Sequence, residues 1–119
     1  MNARSEESRR SRRRRVNGRI EVVDAMTEQV VGQVGNVSES GLLMLAHVPL
    51  SEDCLYQLRF ALPDLFDRYS PVDVGVHVLW KNAAAAAGQA WVGVRFLSID
   101  EGSLDRLRAW IDAPDAHYV

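Results

Sequence analysis

The stretch Cys54-Leu55-Tyr56-Gln57-Leu58-Arg59-Phe60-Ala61-Leu62, followed after one connection by Val72-Asp73-Val74-Gly75-Val76-His77-Val78-Leu79-Trp80-Lys81, decides the fold class. In the first run Cys54, Tyr56, Leu58, Phe60 and Leu62 occupy alternate positions, with Gln57 and Arg59 between them. In the second, Val72, Val74, Val76, Val78 and Trp80 do the same against Asp73, Gly75 and His77. Successive side chains on a strand point to opposite faces, so each run predicts one buried face and one wet face. On this reading Cys54 is a buried, inert thiol and Trp80 belongs to the core. The connection Pro63–Pro71 is a loop with room for one helical turn.

The flanking sequence extends the same pattern. Strands are expected over Arg19–Asp24, Glu28–Gly35 and the apolar run Gly41–Ala46, with a break at Pro49 and Ser51-Glu52-Asp53. A last strand over Ala90–Ser98 buries Val92, Val94 and Phe96. The five alanines Ala83–Ala87, closed by Gly88, read as a hairpin loop between two strong strands. After Ser98 the period changes. Asp100 and Ser103 supply capping groups, and Leu104, Leu107 and Ile111 recur at helical spacing beside Trp110. The expected fold is all-β: six short antiparallel strands in one barrel, a C-terminal helix over an open end or face, and an Arg-rich N-terminal arm. Its parts are a flexible arm over 1–15, the barrel and helix over 16–112 and a tail over 113–119.

The charge is divided along the chain. The 119 residues carry a net charge of −2. Residues 1–19 hold eight arginines and two acids, a charge of +6, which leaves −8 on the other hundred. At 47% hydrophobic and 25% charged, the chain has the composition of a folded domain. No run of about 18 apolar residues exists to span a membrane. The basic N-terminus leads into Val16-Asn17-Gly18-Arg19 and not into the apolar core of a signal peptide, which makes the cytoplasm the expected compartment. One cysteine and three scattered histidines give no metal-binding spacing. No P-loop and no Gly-x-Ser-x-Gly is present, so catalysis has no motif behind it and no cofactor is expected.

Two features remain. Arg9-Arg10-Ser11-Arg12-Arg13-Arg14-Arg15 concentrates planar, always-charged forks that hold phosphates bidentately and stack on flat rings. Alone, it reads as generic attraction for polyanions or a solvated terminus. Asn36-Val37-Ser38-Glu39-Ser40-Gly41 lies between two strands; alone, it is an ordinary turn, in which Gly41 permits a positive φ or a close approach. Together, Arg10 and Arg14 fit RxxxR, and Asn36, Ser38 and Gly41 fit [D/N]xSxxG.

This pair, in this order, resembles the PilZ domain, the bacterial receptor module for cyclic dimeric GMP (c-di-GMP). Leu42-Leu43-Met44 after the second motif, and Val92-Gly93-Val94-Arg95-Phe96 near the end, resemble the family too. The resemblance runs over about residues 9–112. It implies a six-stranded barrel with a C-terminal helix, arginines that grip phosphates and stack on guanines, and a second motif that meets the guanine end. Carried over, Arg10 and Arg14 take the first role, and Asn36, Ser38 and Gly41 the second. The Arg run leaves other registers open: Arg9 with Arg13 also fits RxxxR, and Arg15 precedes Val16, where the family often has its second Arg, but faces Ser11 four residues back. Arg9, ahead of the motif, makes an intercalated ligand pair an alternative to a single molecule. Arg13, Arg15 and Trp91 are additional candidates.

The function expected from the resemblance is a non-enzymatic c-di-GMP receptor whose mobile arm folds onto the barrel with the ligand and changes the surface offered to a downstream protein. The rivals are a PilZ-like adaptor acting without ligand and a basic-arm nucleic-acid-binding module. The acidic body and the lack of a basic-aromatic sheet face count against nucleic acid.

Overall fold

A computed structural model describes residues 12–119. The chain forms β1 (Arg14–Arg15), β2 (Glu21–Asp24), β3 (Gln29–Val37), β4 (Gly41–Ala46), β5 (Leu55–Pro63), β6 (Tyr69–Ala83), β7 (Ala90–Ile99) and α1 (Glu101–Ile111). Strands β3-β2-β5-β6-β7-β4 are hydrogen-bonded in that order, and β3 pairs with β4 to close the ring. The result is the expected six-stranded antiparallel barrel, with β1 as a seventh strand. Closure leaves no bare sheet edge among the six.

The inner face comes from the period-two series: Val22, Val34, Leu42, Met44, Leu58, Phe60, Val72, Val74, Val76, Val78, Val92 and Val94 are all buried. Leu107, Trp110 and Ile111 of α1 join them, and the helix packs on β5 and β6. Asp100 caps α1: its side chain accepts from the Ser103 N–H at 2.7 Å and from the Ser103 hydroxyl at 2.9 Å. The alanine run lies in the β6–β7 hairpin, with Gly88 at φ 78°.

Three expectations about burial fail, for local reasons. Cys54 precedes the first rung of β5 and is exposed. Phe96 is only half-buried; a bulge pairs it with Val76 and pushes Leu97 outward. Trp80 is 41% exposed, because a second bulge inserts Leu79 between the Val78–Val94 and Trp80–Gly93 pairs. One extra residue in a strand reverses the parity of everything after it, so Trp80 moves from the inner face to the outer.

Candidate functional site on the outer barrel face

The chain enters the barrel alongside β3. β1 pairs with the end of β3, Arg14 opposite Val37 and Arg15 opposite Asn36, while β2 pairs with its beginning. The link between them stays on the same edge: the Val16 N–H donates to the Gly35 carbonyl, and the Val34 N–H to the Ile20 carbonyl. Strand parity then sorts the arginines. Arg14 shares a face with the fully buried Val37, and Arg13 and Arg15 take the other face.

The side chains follow that division. Arg13 Nη1 donates to Asn36 Oδ1 at 2.9 Å, which joins the two sequence motifs directly. Burial lowers the Arg13 pKa from the ordinary guanidinium value, yet the group stays charged. Arg14 turns to the helix instead. Its guanidinium lies 4.0 Å from the Trp110 ring centroid, donates to the Trp110 carbonyl and pairs with Asp115 at 3.6 Å. Arg9 and Arg10 lie outside the described residues.

Asn36 faces outward because of a bulge at Gly35, between the Val34–Met44 and Asn36–Leu43 pairs. Without it, Asn36 would share the inward parity of Val34. Leu43 faces outward between the inward Leu42 and Met44, so Asn36 opposite it does too. The row continues: Leu43 pairs with Gly93, and Gly93 with Trp80. The Trp80 indole fills the space over Gly93, where a Cβ would sit 2.4 Å from ring atoms. Trp91, 37% exposed, reaches across β4 to within 3.2 Å of where a Cβ of Gly35 would be. Two indoles therefore lie over glycines on either side of Leu43. Arg13, Asn36, Leu43, Leu79, Trp80 and Gly93 line a shallow depression of about 310 Å³.

The rest of the second motif is spent on the turn itself. The Ser38 N–H donates to the Gly41 carbonyl at 2.9 Å, and its Oγ accepts from the Ser40 N–H at 3.2 Å; Ser38 is fully buried. Gly41 has no positive φ. What it supplies is close approach: a Cβ there would lie 2.2 Å from the Val94 carbonyl oxygen. Glu39 accepts from Arg108 Nε at 2.6 Å, which ties the turn to α1 and raises the Arg108 pKa. Arg95, opposite Gly41, is exposed on the same outer face. Of the predicted site residues, the outer face thus gathers Arg13, Arg15, Asn36 and Trp91. Ser38 and Gly41 shape the turn beside it, and Arg14 faces away. Sequence reasoning weighed Trp80 as a stacking surface but assigned it to the core; the Gly93 opposite it was the local sign of an open place for a ring.

A closed six-stranded, helix-capped barrel with an added cationic strand beside an aromatic outer shelf defines a small binding module. The PilZ domain matches residues 7–113, so the chain belongs to the PilZ family, a family of c-di-GMP-binding signalling modules. Among solved structures, the chain is similar to the Bacillus subtilis inhibitor of motility (MotI/DgrA), with a TM-score of 0.69 and 16% identity. That likeness covers 87% of this chain and 49% of the other, so this chain spans about half the length of that protein. No curated protein matches the chain. Among the described residues, no helix is long and apolar enough to cross a membrane.

Proposed function

We propose that the chain is a non-enzymatic receptor for c-di-GMP and that the ligand sits on the outer face of β3, β4, β7 and β6. The observation that carries this reading is the Arg13–Asn36 hydrogen bond, which brings the arginine motif and the second motif onto one surface. The ligand has two phosphodiester charges and two flat purines. Arg13 and Arg15 supply cations, Asn36 a hydrogen-bonding edge, and Trp80 and Trp91 flat faces for stacking. On this reading the working RxxxR register is Arg9 with Arg13, and Arg14 anchors the arm. Ligand bound on this face then alters the surface offered to a downstream protein.

The test is a titration of the purified chain with c-di-GMP and with single-stranded DNA at two salt concentrations. Saturable c-di-GMP binding, with no DNA binding, is expected. The stoichiometry separates one ligand molecule from a stacked pair. DNA binding with a steep salt slope and no c-di-GMP binding would favour the nucleic-acid module. Binding of neither would favour an adaptor that acts by protein contacts alone.

A further inference from the structure

Arg12–Arg15 is a run of four identical side chains. A slip of one residue in a strand exchanges its two faces. In this run such a slip replaces arginine by arginine, so the run itself scarcely records which members face outward. A two-residue strand is also too short to hold its own place. The register must be set by what lies around it.

The C-terminal segment surrounds it. After α1 the chain returns along the free edge of β1. The Arg15 N–H donates to the His117 carbonyl at 2.7 Å, the Val119 N–H donates to the Arg13 carbonyl at 3.0 Å, and Arg14 bridges antiparallel to Tyr118. β1 is thus held on both edges, by β3 and by the tail. The side chains distinguish odd from even. Arg12 forms an ion pair with Asp112 and lies 4.7 Å from the Tyr118 ring centroid. Arg14 takes Trp110 and Asp115. Tyr118 is itself fixed by its hydroxyl, which donates to the Ile111 carbonyl at 2.6 Å. The even arginines each find a carboxylate and a ring at the end of the chain.

We propose that the segment Asp112–Val119 is a positioning part of the ligand site: it clamps β1 and reserves Arg13 and Arg15 for the ligand by engaging Arg12 and Arg14. The proposal rests on the receptor reading above. It differs from a purely structural tail in one respect, namely which arginine matters for binding.

The experiment compares the full chain, a chain ending at Ile111 and a Tyr118→Ala variant, each with Arg13→Ala or Arg14→Ala added. Calorimetry with c-di-GMP is expected to show both clamp variants binding about tenfold or more weakly, the loss of one charge-assisted contact or more. The gap between Arg13→Ala and Arg14→Ala should shrink in both, with cooperative melting of the barrel retained. Unchanged or tighter binding in a folded clamp variant would overturn the proposal. Should the truncated chain fail to fold, the Tyr118→Ala variant decides it. Limited trypsin digestion separates this proposal from the receptor reading. Cleavage at Arg13–Arg15 should be slow in the full chain and fast in both variants, whatever the ligand does. Equal rates would remove the clamp, whereas a full chain that never binds c-di-GMP would remove the receptor reading alone.

Discussion

At the scale of single residues, strand parity divides the arginines between two faces. Arg13 and Arg14 are adjacent and chemically identical, yet one donates to Asn36 and the other stacks on Trp110. Arg13→Ala is expected to weaken c-di-GMP binding about ten- to hundredfold, since a hydrogen bond to a charged group is worth about 1.5–3 kcal/mol. Loss of its bond to the buried Asn36 should also lower stability by about 1 kcal/mol. Arg14→Ala should weaken binding less and lower stability by about 1–2 kcal/mol, the scale of a partly desolvated cation–π contact. Paired melting curves and titrations check both. Gly41→Ala is expected to disturb the β4–β7 pairing outright, because its Cβ would meet backbone and not a mobile side chain. Loss of dispersed amide signals in an NMR spectrum would report it. The motifs made Asn36 and the Arg run legible from sequence. They could not say which arginine faced which way, because a repeated residue carries no phase.

At the scale of elements, the alternating runs placed every barrel strand to within a few residues, and the Asp100 and Ser103 caps placed the helix. The bulges were not legible. Those at Gly35 and Leu79 each insert one residue into an otherwise regular period, and together they bring Asn36 and Trp80 to the outer face. Gly35 inside a strand pattern was the one local hint of the first. Pairing between the tail and β1 was equally hidden, because it joins segments about a hundred residues apart by backbone bonds that any sequence can make. The helix cap carries a pH signature. Hydrogen bonds from Ser103 hold the Asp100 pKa below its ordinary 3.8. A depressed carboxylate adds stability that is fully present above that range and is lost as the pH falls through the folded-state value. Asn also caps helices well, so Asp100→Asn should melt like the parent at neutral pH and lose less of its stability between pH 5 and 3 (roughly the span of ordinary carboxylate titration). Thermal melts across that span check the sign.

At the scale of the whole molecule, the closed barrel provides a rigid floor, and the charge division acts on top of it. Phe60 is among the largest fully buried side chains. Phe60→Ala is expected to cost about 3–5 kcal/mol, a large share of a typical total of about 5–15, and so to unfold much of the population near physiological temperature. Denaturant titration measures it. The −8 carried by residues 20–119 should repel extended polyanions, while a compact ligand with two charges needs only the cationic strand and the shelf. The family resemblance was visible in the motifs. The acidic tail folded back against the basic arm was not, because composition records how much charge there is and not where the fold brings it.

The most direct test is calorimetric titration of c-di-GMP into the unmodified chain, Arg13→Ala and Arg14→Ala, side by side under identical salt. The expected result is binding by the unmodified chain, a ten- to hundredfold loss for Arg13→Ala, and a smaller loss for Arg14→Ala, which loosens β1 without removing a ligand contact. Parent affinity in Arg13→Ala together with a collapse in Arg14→Ala would contradict the assignment of the outer face as the ligand site.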